Sequence, residues 1–496
     1  MKKMTFRKLF GGLCCAAMVA FAVSCAQGAD DESWSAGVTN SELEAPTIDD
    51  SCFEVVSTSS GDVIKLTWPV VYGAGGYHVT VYEEANPETA LVDEDVDGQT
   101  ITFPMVEDTN FNIMVTTLGN DRLNNTQSEA NAYTFSTFGT LQQIPDGSEI
   151  ASWIEANYVA PEKEIFGLVY ELAAGGQYTL DAPADFKLDK VMLRSDASNP
   201  ATVTVNGDGA LMLQAGLKVM NIKFDCTAQT ARGLLLMHSA PDASISTQSL
   251  GYKAAGANQD CFVVVKPVIF DNCWVKNLPN AFLDDNQQKY ALADFRITNS
   301  IIQLKNSGSN GFIKFDKGGY LIQKMTITGS TIYNSVQNGG GVYFIRFSNS
   351  SNAQPKKVFG NNNNFLEHTI KDCTIARTFP KKDFANNMPN TQNGQRLWCH
   401  IENVLFFDIF RLEKYIQSQW YMTTPNNVLF CSANASYNSG DASKKDKLGN
   451  TYTINEDPGF SETDFVELDL NAPNGGLNLK AKSGALAPTI GDPRWL

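Results

Sequence analysis

Between residues 217 and 408 the chain writes one short phrase six times: an apolar residue, any residue, then Asn, Gly or Asp, then a segment that ends apolar. The copies are Val219 to Phe224, Phe270 to Val275, Ile297 to Ile302, Ile327 to Ile332, Ile370 to Ile375 and Ile401 to Phe406, centred on Asn221, Asn272, Asn299, Gly329, Asp372 and Asn403. Asn, Gly and Asp tolerate a left-handed backbone at least cost. One such residue between two short apolar strands, repeated, bends the chain the same way on every circuit. The pattern therefore predicts a solenoid of stacked β-coils, which presents long external faces suited to a polymer.

Length and charge narrow the reading. The 496 residues suffice for more than one domain. His78, His238, His368 and His400 share no zinc-type spacing with a Cys pair, so no structural zinc site is expected. Residues 1–24 hold four bases and no acid, residues 25–150 two bases against 22 acids, and residues 151–496 32 of each. Within the last part, residues 301–400 carry 12 bases and 4 acids, a net of +8. That excess is either ordinary solvation of a solenoid face or a basic strip for an acidic polymer. Nucleic acid would be such a polymer, but the N-terminus points to export and excludes it as the expected partner.

Lys2, Lys3, Arg7 and Lys8 precede an apolar stretch, Leu9 to Val23, which is short for a membrane span. Ala22-Val23-Ser24-Cys25 resembles a bacterial lipobox, with Ala22 where that motif usually carries Leu. The resemblance implies cleavage after residue 24, lipidation of Cys25 and an outer-membrane anchor. Asp30, Asp31 and Glu32 follow, and an acidic cluster there resembles the surface-export signal of lipoproteins from Bacteroidota-type bacteria. Residues 25–44 then read as an acidic tether. Of the other Cys, Cys273 and Cys373 stand at the repeat position that Ser300 and Ser330 fill elsewhere, so a buried ladder of small side chains is expected rather than disulfides.

Residues 45–138 alternate in short runs, Ile64 to Trp68, Tyr77 to Tyr82, Phe111 to Thr116 and Ala132 to Phe135, which predicts a β-sandwich. The order of the Trp68, Tyr77 and Phe111 strands resembles a fibronectin type III module, with Phe111 in place of that family's corner Tyr. This stretch reads as a solvated spacer. Residues 146–157 predict a short helix, capped by Asp146 or Ser148, with Trp153 on its apolar face, closing one end of the solenoid.

The repeats, with their column Asn221, Asn272, Asn299 and Asn403, resemble the right-handed parallel β-helix of the pectate lyase superfamily and its asparagine ladder. The expected architecture is thus all-β, a sandwich followed by a right-handed β-helix over residues 139–496. The layout, including Gly491-Asp492-Pro493-Arg494-Trp495 near the C-terminus, resembles Bacteroidota lipoproteins that accompany polysaccharide-utilisation systems. Residues 281–310 and 311–340 align at an interval of 30, pairing Phe282 with Phe312, Tyr290 with Tyr320 and Ser300 with Ser330. A two-residue shift aligns Phe312 with Phe344. Residues 349–364, 379–395 and 432–450 read as inserted loops.

Strand alternation gives an outward column of Asp284, Lys314 and Arg346, extended upstream by Gln214 and Lys266. Lys266, Asp284, Lys314 and Arg346 are the glycan-binding candidates. The superfamily resemblance implies that a Lys or Arg on this sheet removes the proton beside a uronate carboxylate while an acid-bound calcium neutralises that carboxylate. Lys314 or Arg346 would be the base, and Asp284 with Asp285 would offer ligands to Ca2+. Against this stands an ion-pair ladder of little energetic consequence. A second outward column is Asp271, Thr298, Thr328, Lys371 and Glu402, with Lys218, Arg296 and His400 one strand step away. Trp398, Trp420 and Tyr421 could stack on sugars. The preferred reading is a surface lipoprotein binding acidic, pectin-like polysaccharide; the alternatives are a β-elimination lyase and a structural or adhesion protein.

Overall fold

The computed structural model describes residues 37–496 apart from 59–60, 164–165, 253–260, 307–310, 318–321, 337–342, 348–364, 383, 387–395, 410–420, 423–425, 432–451 and 455–456. Cys25, Tyr320, Trp420 and most of the three inserted loops lie outside the described residues. The chain divides into two compact units, residues 1–139 and 140–496.

In the first unit two antiparallel sheets face each other. Phe53–Thr58, Gly61–Thr67 and Thr100–Pro104 make one; Ala90–Val96, Gly76–Glu83, Asn110–Leu118 and Asn131–Ser136, in that order, make the other. Alternation is strict where it matters: Phe111, Ile113 and Val115 are fully buried while their neighbours are not. Phe103 of one sheet meets Phe111 of the other at 5.2 Å, and Trp68 lies edge-on to Tyr77 at 5.3 Å. These rings fix how the two faces interlock. Phe111 has no hydroxyl, so no corner hydrogen bond forms there.

The second unit is a three-sided parallel β-helix. First-side strands Leu168–Leu172, Val191–Arg194, Leu217–Met220, Val268–Asp271, Tyr290–Thr298 and Ile322–Thr328 pair in succession, all parallel. Gln177–Leu180, Ala201–Gly207, Ile222–Gln229, Trp274–Leu278, Ile301–Leu304 and Thr331–Asn334 do the same on the second side. The long strands Phe365–Ala376 and Arg396–Phe407 run through both sides. The third side stacks Pro183–Asp185, Ala210–Leu213, Gly233–Met237, Ala281–Asp284, Ile313–Phe315, Ile345–Phe347 and Ala385–Asn386. One hydrophobic core, from Ile144 to Ile409, fills the prism.

The corner between the first and second sides is where the repeat acts. Asn221, Asn272, Asn299, Gly329, Asp372 and Asn403 all have φ between 49° and 56°. Each backbone N–H of Asn221, Asn272, Asn299 and Gly329 donates to a carbonyl of the next coil at 3.0–3.2 Å. The side chains continue the stack: Asn272 Nδ2 donates to Asn221 Oδ1, and Asn403 Nδ2 to Asp372 Oδ1, each at 2.8 Å. Just inside the corner, Ser300 Oγ accepts from Cys273 N–H and Ser330 Oγ from Ser300 N–H, both at 3.1 Å. Cys273 and Cys373 occupy this column as free, fully buried thiols. Burial raises both pKa values, that of Cys373 to about 12, so neither offers a thiolate. At the third side, Phe282, Phe312, Phe344 and Phe384 stack with centroid spacings of 5.1, 4.8 and 4.6 Å, matching the rung spacing of a parallel sheet.

The helix α1 (Ile150–Asn157) sends Ile150, Ala151 and Ile154 into the core at the first coil. Its cap is Glu149, which accepts from Ala151 and Ser152 N–H. Of the two expected caps, Asp146 instead accepts from Gln177 N–H at 2.7 Å and Ser148 Oγ donates to Pro145 O at 2.6 Å. At the other end, residues 457–496 lie along the outside of the second side, where Phe465, Leu468, Leu477 and Trp495 pack on Ile301, Tyr333 and Ala376.

Gly329 is the one member of the corner column with no side chain, and an added Cβ would stand 2.8 Å from Asn299 Oδ1. Gly329→Ala combines left-handed strain with that contact and is expected to cost about 1–3 kcal/mol, measured by urea unfolding of the wild type and the variant.

Candidate functional site

The third side aligns one outward residue per coil: Asp185, Met212, Leu236, Asp284, Lys314, Arg346 and Asn386 are successive register partners. Asp284, Lys314 and Arg346 are therefore neighbours on adjacent rungs, as alternation predicts. The upstream members are Leu236 and Met212, not Lys266 and Gln214. Lys266 is an exposed residue between Phe262–Val264 and Val268–Asp271, strands of another side. Residues 238–261 stand between the third-side strand Gly233–Met237 and Phe262–Val264, so counting along the sequence misplaces Lys266. Gln214 follows the strand end, is buried, and accepts from Asp242 N–H at 2.7 Å.

The column is a chain of alternating charge. Arg232 Nε lies 3.0 Å from Asp284 Oδ1, and Lys314 Nζ lies 3.2 Å from Asp284 Oδ2. Lys314 Nζ also reaches Asp316 Oδ2 at 3.3 Å, and Arg346 Nε reaches Asp316 Oδ1 at 3.1 Å. Asp284 is fully buried and the Lys314 side chain is 8% exposed, whereas the end members Arg346 and Arg232 are 32% and 40% exposed. Sequence reasoning missed Asp316 and Arg232. Asp316 was within reach of alternation, two positions after Lys314 on the same face; Arg232 precedes its strand and carries no such signal. The ladder is thus not an exposed one: its centre is dry, where desolvation rivals the Coulombic gain. Such an arrangement gives little net stability and is found at functional sites.

Lys314 is engaged as a cation by two carboxylates, the geometry of a charge bridge rather than of an open base. The expected calcium ligands are also committed. Asp284 Oδ1 accepts from Asn286 N–H at 2.7 Å in addition to its Arg232 contact. Asp285 accepts from Gln287 N–H at 3.0 Å and Lys317 N–H at 2.7 Å. Among the described residues no group of three or more His, Cys, Asp or Glu is placed to hold a metal. Calcium takes six to eight oxygens, so this donor set does not fit it. Burial, with the nearby charges of Asp284 and Asp316, pushes the Asp285 carboxyl up to about 6.

The second outward column is also in register: Asp271, Thr298, Thr328, Lys371 and Glu402 on the first side. Lys218, Ile269, Arg296, Thr326, Thr369 and His400 form the column beside it. Thr298 Oγ1 donates to Asp271, Arg296 Nε to Asp294 Oδ1 at 3.0 Å, and Lys371 pairs with Glu402 at 3.3 Å. Charge here is mixed and locally paired, as on a solvated sheet face. The side chains of Trp398 and Tyr421 lie outside the described set.

Residues 1–175 match a family model described as a domain of unknown function (DUF4992), and residues 176–335 match another described in the same way (DUF4957). Their boundary falls inside the first coil, downstream of the division between the two compact units. No curated protein matches the chain. A solved structure of an Erwinia chrysanthemi pectate lyase in complex with tetragalacturonic acid is similar over 72% of this chain and 84% of that one, at 11% identity and a TM-score of 0.14. A family 28 exopolygalacturonase of Yersinia enterocolitica covers 78% of this chain and 98% of its own, at 12% identity and a TM-score of 0.16. The catalytic domain of a GH87 α-1,3-glucanase in complex with nigerose covers 82% and 84%, at 10% identity and a TM-score of 0.19.

Two outcomes test the buried ladder. Asp284→Ala leaves the Lys314 ammonium with Asp316 alone and takes the carboxylate from Arg232, and is expected to cost about 3–5 kcal/mol, read by urea unfolding at neutral pH. Asp285 should titrate with a midpoint near 6, followed by the carboxyl carbon resonance of labelled aspartate and assigned with Asp285→Asn. Its folded pKa lies above its unfolded value, so its contribution is full below the unfolded pKa near 4 and is lost as pH rises through 6.

Proposed function

We propose that the chain is a surface lipoprotein whose β-helix binds acidic polysaccharide along the third side, without cleaving it. The observation that carries this reading is the ladder Arg232, Asp284, Lys314, Asp316 and Arg346, with three cations, two anions and partly exposed guanidinium groups at both ends. A uronate carboxylate can be gripped by a guanidinium fork while the buried Asp284 and Lys314 keep the ladder rigid. The excess of bases in residues 301–400 supports the same sign of ligand. A binding face needs cations held in place, and the ladder supplies that. A β-elimination lyase needs an unengaged base and a neutralised uronate carboxylate, and the pairing of Lys314 with two carboxylates argues against it. The anchor is part of the proposal: Cys25 carries lipid, and residues 25–44 tether the first unit to the outer membrane.

The experiment is affinity electrophoresis of residues 26–496 through gels containing polygalacturonate or neutral glucan, with ultraviolet absorbance of unsaturated uronate followed in parallel. Retardation by polygalacturonate alone, weakened about tenfold by Arg346→Ala, is the expected result. Rising absorbance would show a lyase, and equal migration in both gels would remove the binding reading. Full-length protein should fractionate with outer membranes, and Cys25→Ala should release it.

A further inference from the structure

The outer face of the second side changes character part-way along. In the early coils it shows Thr179, Thr204, Lys223 and Asp225, all partly or fully exposed. From Ile301 onward the outward residues include Ile301, Tyr333, Ala376 and Leu405 beside the polar Gln303, Thr331 and Thr374, each no more than 1% exposed. What buries them is the segment 457–496. This segment forms no β-ladder with the coils among the described residues. It is held by point contacts. Tyr333 donates to Val466 O at 2.8 Å, Leu468 N–H donates to Gln303 Oε1 at 3.0 Å, and Arg377 meets Glu462 at 2.6 Å while stacking on Phe465.

The densest of these contacts is made by Gly491 to Trp495. Asp492 Oδ2 accepts from Thr331 Oγ1 at 2.7 Å, and its N–H donates to Thr374 Oγ1 at 3.1 Å. Arg494 donates to Gly329 O at 2.8 Å and to Asp492 Oδ2 at 2.9 Å. Trp495 Nε1 donates to Thr331 Oγ1 at 2.7 Å, with the ring 6% exposed. Thr331 thereby joins Asp492 and Trp495, and Arg494 reaches the left-handed corner itself at the glycine of the column.

We infer that residues 457–496 are a strap that detaches as one cooperative unit, with Asp492, Arg494 and Trp495 as its latch, leaving the coil ladders intact. The physical basis is the difference in attachment. Each coil is tied to the next by continuous backbone ladders, whereas the strap is tied by side chains, apolar contacts and a backbone bond from Gly491 N–H to Asn403 O at 3.1 Å, and elements without a ladder open below the global unfolding free energy. Release would uncover Ile301, Tyr333, Ala376 and Leu405 together with Gln303, Thr331 and Thr374.

Native-state hydrogen exchange in low urea tests this on the wild-type protein. Amides of Leu468, Asp469, Gly491, Asp492 and Trp495 are expected to exchange together, through an opening that leaves Val203, Phe224 and Val275 protected. Trp495→Ala should speed the strap amides about a hundredfold and leave those three coil amides unchanged. Exchange of strap and coils through one common opening overturns the inference, as does a strap whose rates Trp495→Ala does not move. The wild-type measurement decides the matter even if the variant fails to fold.

Discussion

The six repeat coils of the second unit depend on one backbone conformation. A single residue with φ near 50° turns the chain from the first side to the second, and it does so at the same height in each of six coils. Because the turn contains one residue, its N–H and carbonyl keep the cross-coil spacing of the strands around it, and the ladder of hydrogen bonds passes through the corner without a gap. Register on the first and second sides follows from that. So does the alignment of Cys273, Ser300, Ser330 and Cys373 inside the corner and of Asp271, Thr298, Thr328, Lys371 and Glu402 outside it.

The third side shows the opposite economy. Its strands are mostly three to five residues long, and its interior is held by stacked phenylalanines rather than by a fixed corner. On such a side a buried carboxylate–ammonium pair is not there for stability, since a well-packed apolar pair of the same volume would serve as well. Leu236 and Met212, one and two rungs upstream of Asp284 in the same column, are that apolar solution. The column thus passes from apolar to charged within one sheet, and the charged end is where the ligand proposal rests.

The corners and the two main columns were legible in the sequence because they follow from local rules: few residue types tolerate a left-handed backbone, and side chains alternate along strands. What was not legible came from distance. Lys266 was misplaced because residues 238–261 break the spacing between coils. Arg232 lies before its strand, where alternation says nothing, and Glu149 took the cap role through two backbone N–H groups rather than Asp146 or Ser148. The covering of Ile301, Tyr333 and Ala376 by residues 89 (Ala376 to Phe465) to 194 (Ile301 to Trp495) positions later leaves no local trace in the sequence.

The three corners differ in how much chain they hold, and this has an evolutionary consequence. In the six repeat coils the first-to-second corner turns on one left-handed residue, whereas the two coils before them hold residues 173–176 and 195–200 there. The connections on either side of the third-side strands range from a few residues to the 24 between Met237 and Phe262. Sequence can be gained or lost there without shifting any strand pairing. The ladder face is therefore bordered by the two corners at which a lineage can remodel its recognition surface while the coil beneath is inherited unchanged.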